Sequence, residues 1–236
     1  MEPSNQKKLE QSLPEGQLVN RPWLQTRGFN RFRVDYAMRA GKLEAVARGV
    51  YRRPGPPLKW EHVVYSLNEI GYPVRVGGRS ALELQGLAHY LPLGGVPRID
   101  LYSPMRLPDW LHKISDAFKF EVHSKKVFKY IPETALFVKP FGGWDWPIPY
   151  SMPELALVEL VAEVRETADF SIADKFFESA VNLRPRVIRD VLEACEQVKA
   201  KRLFLLFCDR HDHSWRRALD IEGIDLGRGK RMPKRF

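Results

Sequence analysis

Over residues 31–40 the apolar side chains Val34, Ala37 and Met38 stand at i, i+3 and i+4, the spacing of one inward helix face. Asn30 is a good N-cap for that helix and Gly41 a good stop. Arg31, Asp35 and Arg39 fall at i, i+4 and i+8 and share a different face. A shorter helix is expected over 22–27, capped by Asn20, with Pro22 in its first turn and Gly28 at its end. Before it, 6–13 reads as a short helix ended by Pro14 and Gly16. After it, 43–47 and 50–53 are strand-like runs around Arg48-Gly49, where glycine permits a tight turn. Two short helices, a glycine-containing turn between them and a following hairpin are the sequence form of a winged helix-turn-helix. Pro54-Gly55-Pro56-Pro57 ends the unit, so residues 1–57 are expected to form one domain and 58–236 a second.

The remainder reads as α+β. An amphipathic helix is expected over 60–70, carried by Trp60, Val63, Val64 and Leu67 and broken by Gly71-Tyr72-Pro73. A short strand, 74–76, leads through Gly77-Gly78 into a helix over 80–86. Strand-like runs follow at 98–102, 118–122 and 136–138, with a short helix at 108–114. The stretch 141–150 is rich in Gly, Trp and Pro and is expected to be an ordered loop. From Pro153 the pattern is helical, with one helix carried by Leu155, Val158, Glu159 and Ala162, three more over 172–183, 186–195 and 198–208, and a last short one from Trp215. The expected fold class is therefore α+β: an N-terminal winged helix-turn-helix followed by a larger mixed domain with a small β-sheet and a helical C-terminal half.

The chain has 236 residues, 44% hydrophobic and 28% charged, long enough for two domains with real cores. It has no apolar run of about 18 residues and no apolar stretch at its N-terminus, so a cytoplasmic protein without a membrane anchor is expected. Cys195 and Cys208 cannot form a disulfide framework or a zinc site by themselves. The net charge of +9 is unevenly spread. Residues 21–53 hold nine Arg or Lys against Asp35 and Glu44, which gives +7, and 227–236 hold five and no acid. Concentrated positive charge suits a polyanion, through phosphate contact and counterion release. Arg31, Arg33 and Arg39 are candidates for base edges or phosphates, and a bidentate Arg–guanine pair discriminates by about 1–3 kcal/mol. Asn30 could approach a phosphate at the helix N-terminus, and Arg48, Arg52 and Arg53 could reach phosphate or the minor groove from the wing. Arg27 and Lys42 complete the candidate DNA-binding set. Arg31 has a competing role in an ion pair with Asp35.

The run Val76-Gly77-Gly78-Arg79-Ser80-Ala81-Leu82-Glu83-Leu84-Gln85-Gly86, followed by Ala88-His89-Tyr90-Leu91-Pro92-Leu93, resembles the signature of the AbiEi family of antitoxins. Lys201-Arg202-Leu203-Phe204, Arg210-His211, His213 and Trp215 resemble it too, as do the run Ile224 to Arg231 and the winged segment ending Ala47-Arg48-Gly49-Val50-Tyr51. The resemblance implies the antitoxin of a type IV toxin–antitoxin pair, acting in the phage-defence setting of abortive infection. It implies that the winged domain binds inverted repeats in its own promoter, double-stranded DNA, and represses the operon. It also implies that the C-terminal domain counters a nucleotidyltransferase-like toxin of the AbiEii type, without a stable complex. The protein would be a monomer or weak dimer, with two copies on the operator.

Other residues have the look of chemistry. Asp209, His211, Asp212 and His213 could ligate a metal, but adjacent ligands on one short loop rarely wrap one ion, and helix capping is the expected role. Asp109 with Glu121 and His123 has the outline of a nuclease site, yet a histidine stands where that chemistry needs lysine. Gly77-Gly78 could cradle an anion, although a tight strand-to-helix turn accounts for them as well, and His89 has no neighbouring nucleophile. No catalytic residue, metal or cofactor is expected. A DNA-targeted nuclease or other nucleic-acid-processing enzyme is the alternative, and RNA binding is a third reading, because the basic tail does not choose between nucleic acids.

Overall fold

The computed structural model describes residues 9–87 and 96–228. His89, the start of the first helix and most of the basic C-terminal run lie outside the described residues. Helical residues 9–12 open the N-terminal unit. Then come β1 (Val19–Asn20), α1 (Arg21–Thr26), α2 (Arg31–Arg39), β2 (Glu44–Ala47) and β3 (Val50–Arg52). The asparagines cap as expected: Asn20 Oδ1 accepts the Trp23 N–H at 2.9 Å and Asn30 Oδ1 that of Arg33 at 3.0 Å. Gly49 turns the hairpin at φ 78°, a left-handed conformation that a side chain would strain.

Strand β1 was not expected. At two residues it is too short to show a period, and it exists by pairing with β3, Val19 opposite Tyr51 and Asn20 opposite Val50. It completes an antiparallel sheet in the order β1-β3-β2. Side chains alternate across a strand, and here both faces are covered. Val19 and Tyr51 pack into the helix-turn-helix core with Trp23, Leu24, Phe29, Val34, Ala37 and Leu43. Leu18 and Val50 point the other way, into a core shared with the rest of the chain.

That second core is built on α3 (Trp60–Glu69) and a mixed five-stranded sheet. The sheet comprises β4 (Arg75–Val76), β5 (Arg98–Tyr102), β6 (Lys119–His123), β7 (Leu136–Phe141) and β8 (Trp146–Ser151), in the order β6-β5-β4-β8-β7. Helix α4 (Gly78–Leu84) follows β4 directly, and the helix expected at 108–114 is a 3-10 turn, Asp109–Lys113. The stretch 141–150 is not a loop. Leu136 to Phe141 and Trp146 to Ser151 form a full antiparallel hairpin closed by a turn at Gly142–Trp144. Its prolines pair only with each other or with Val138 (Pro140 with Pro147, Val138 with Pro149). They stand two residues apart, so their missing N–H groups all fall at positions that owe the partner strand no hydrogen bond.

The helical half consists of α5 (Pro153–Glu163), α6 (Thr167–Ser179), α7 (Pro185–Ala194) and α8 (Val198–His211), with a final 3-10 turn, Ser214–Ala218. Helix α5 is central: Leu155, Ala156, Leu157, Val158 and Val161 are buried together with Phe177, Phe204 and Phe207. Helix α6 begins five residues before the expected 172, because Asp169 reaches back to accept the backbone N–H groups of Arg165 and Glu166. The fold is α+β with a winged N-terminal unit, a small sheet and a helical second half.

Leu18 is fully buried against α3, and its N–H donates to Ser66 Oγ at 2.8 Å. Leu18→Ala is therefore expected to destabilise the winged unit and the body together, by about 2–5 kcal/mol, in one urea-unfolding transition. Separate transitions for the two parts would contradict a shared core.

Candidate nucleic-acid interface

Helix α2 turns Val34 and Ala37 inward and leaves Arg31, Phe32, Arg33, Tyr36 and Arg39 exposed. Arg31 lies 3.8 Å from Asp35, an exposed i,i+4 pair of small energetic weight. Arg33 donates to the Gly28 carbonyl at 2.9 Å, bridging the turn between the two helices. Arg27, at the end of α1, lays its guanidinium over the Trp23 ring at 3.6 Å. Arg48 is exposed at the turn of the wing, and Lys42 is half-buried behind α2.

Arg52 and Arg53 are placed differently. Arg52 sits opposite Glu44 across the β2–β3 pair, bonds its carboxylate, and donates to the Pro56 carbonyl at 3.1 Å. Arg53 donates to the Leu13 carbonyl at 3.3 Å and lies 3.7 Å from Glu15. Both side chains are largely covered, so they brace the base of the wing. Arg21, a basic residue that sequence reasoning left out, donates to the Tyr51 hydroxyl at 2.9 Å and ties α1 to β3. Phe32 and Tyr36 were also missed as surface features, although the inward stripe of Val34 and Ala37 already placed them opposite it.

The catalytic-looking residues of the body have structural partners. Asp109 is exposed and pairs with Arg106, away from Glu121, which pairs with Arg98. His123 stands in an open cleft of about 1030 Å³ also lined by Asp100, Glu121 and Glu163. Its Nε2 lies 3.0 Å from Asp100, its Nδ1 3.6 Å from Glu163, and its ring stacks on Tyr102. Burial disfavours its charged form, but the hydrogen bonds and charges of Asp100 and Glu163 outweigh that and raise its pKa to about 9. Ser80 is spoken for as well, donating to Asp100 at 2.8 Å. In the C-terminal cluster His211 bonds Asp174, His213 bonds the Phe177 carbonyl, and Asp209 pairs with Arg216. Among the described residues no three His, Cys, Asp or Glu side chains are grouped to hold a metal ion.

Gly77-Gly78 makes a close approach. The Gly78 N–H at the start of α4 donates to Glu159 at 2.8 Å, so the chain's own carboxylate takes the place of an external anion. A Cβ on Gly77 would collide with Glu159 and with the Tyr102 ring. Glu159 is fully buried, pairs with Arg75 and accepts from Ser151, so one carboxylate joins α5 to β4, β8 and α4.

The architecture is that of a winged-helix protein whose helix-turn-helix is mounted on an α+β body. Two family profiles cover nearly all of it: the AbiEi antitoxin N-terminal domain of transcriptional regulators over residues 2–93, and the AbiEi antitoxin transcriptional regulator of type IV toxin–antitoxin systems over 97–234. The chain belongs to the AbiEi family of transcriptional regulators. No curated protein sequence matches it. Among solved structures it is similar in fold to the RV2827C protein from Mycobacterium tuberculosis, with a TM-score of 0.52 at 17% identity over 91% of this chain and 78% of that one. Among the described residues no helix is long and apolar enough to cross a membrane.

Because the folded pKa of His123 is raised from 6.5 to about 9, its contribution to stability is fully present below 6.5 and is lost as pH rises through 9. Thermal unfolding across that window should show the melting temperature falling in the natural chain and falling less in His123→Asn. Parallel profiles would mean that the ion pairs contribute nothing.

Proposed function

We propose that this protein represses its own operon by seating α2 in the major groove of inverted repeats in its promoter, with Arg48 on the wing reaching the adjacent backbone. The reading is supported above all by one observation. The outer face of α2 is exposed and carries Arg31, Arg33 and Arg39 with Asp35 as the sole acid of that helix, and Arg27 is exposed at the end of α1. Asn30 begins the helix, Lys42 lies just beyond it, and Arg52 and Arg53 act by holding the wing in place. Residues 1–57 are the DNA-binding part and 58–236 the part that counters a nucleotidyltransferase-like toxin. A helix-turn-helix reading a palindrome places two copies on the site, one per half-site. The protein acts in the cytoplasm without catalysis of its own. Asp109, Glu121, His123, Asp209, His211 and His213, which suggested chemistry, are each paired within the fold, and this supports that reading.

A reporter driven by the segment immediately upstream of the coding region should be silenced by the natural chain and released by Arg39→Ala. In vitro Arg39→Ala should weaken duplex binding and lower the salt slope by about 1. An unchanged affinity at two salt concentrations would remove Arg39 from the interface. Co-expression with the adjacent downstream gene should relieve that gene's toxicity. Nicking of supercoiled plasmid in magnesium would establish the nuclease alternative instead.

A further inference from the structure

The outward centre of α2 is aromatic. Successive helix residues turn by about 100°, so with Val34 and Ala37 inward the residues pointing most directly away are Phe32 and Arg39, flanked by Tyr36 on one side and Asp35 on the other. Phe32 is 83% exposed and Tyr36 49% exposed. The neighbouring arginines stand to either side of this centre, Arg31 paired with Asp35 and Arg33 with the Gly28 carbonyl. The face therefore has an apolar middle and a cationic rim. A second copy of the same face would set arginine against arginine, whereas a duplex supplies phosphates for the rim. For the middle, the major groove offers an apolar group of matching size, the 5-methyl of thymine.

We infer that Phe32, with Tyr36 beside it, is a specificity-determining residue that packs on thymine 5-methyl groups, so that sequence is read partly by apolar contact while the arginine rim sets affinity. This rests on the proposed repressor reading and adds to it the base that the helix selects.

The test uses a duplex of the segment immediately upstream of the coding region, footprinted with the full chain. It is then resynthesised with deoxyuridine replacing each protected thymine in turn. Uracil keeps the pairing and the O4 acceptor and loses only the methyl. One or two replacements per half-site should weaken binding about fourfold, the effect of one buried methyl-sized group. Phe32→Ala should bind thymine and uracil duplexes equally with an unchanged salt slope, and Phe32→Leu should keep part of the discrimination. An unfolding midpoint equal to the natural chain's confirms that the exposed position has been altered without harm to the fold. Equal binding of every uracil duplex by the natural chain overturns the inference and leaves repression standing, as does discrimination that survives in Phe32→Ala. A Phe32→Ala change in solution oligomer with discrimination intact assigns the face to a second copy and also overturns it. Failure of the natural chain to bind the thymine duplex at all overturns both readings.

Discussion

The β1–β3 pair is the constraint on which the rest of the molecule depends. Leu18 and Val19, at the start of β1, and Val50 and Tyr51 on β3 send side chains in opposite directions, and both directions are buried. One sheet thus serves as a floor for the helix-turn-helix and a wall for the body. The strand pair that floors the core under α2 also contributes Leu18 and Val50 to the second core. The Pro-Gly-Pro-Pro segment after the wing is tied back at Pro56 by Arg52, and Arg53 beside it reaches the Leu13 carbonyl, so the connection does not behave as a free linker. Helix α2 is thereby held in one orientation relative to the body.

The body spends its polar residues on internal joins. Glu159 links α5 to β4, β8 and α4, and Glu154 accepts from Nε and Nη2 of Arg184 at 2.8 and 2.9 Å. A buried carboxylate is tolerable only when its oxygens are satisfied, and removing a partner is strongly destabilising. These joins specify how the helical half sits on the sheet. They also explain why the chain contains acid and histidine clusters with the outline of active sites: Asp100, His123 and Glu163 connect β5, β6 and α5.

Local signals were legible in the sequence and long-range ones were not. The asparagine caps, the glycine stops and the Val34–Ala37 stripe placed α1 and α2 within a residue, because each acts within one turn. Strand β1 left no periodic trace, since two residues cannot show alternation and its partner lies 30 residues on. The prolines of 140–149 signalled a loop because their alternate placement matters only once β7 and β8 pair. Net charge over 21–53 located the basic surface but could not separate bracing arginines from those left facing water. Arg53 finds its carbonyl 40 residues away, and no spacing rule reports that. The aromatic centre of α2 was within reach of the helical period, since Phe32 and Tyr36 fall opposite Val34 and Ala37.

The most direct test of the account is the ionic-strength dependence of binding between the full chain and the duplex from upstream of its own gene. If Arg27, Arg31, Arg33, Arg39 and Arg48 face phosphates, log affinity should fall linearly with log salt at a slope of about −4.5 per bound copy. A slope near zero, or no binding at low salt, would show that this basic surface serves something other than a nucleic acid.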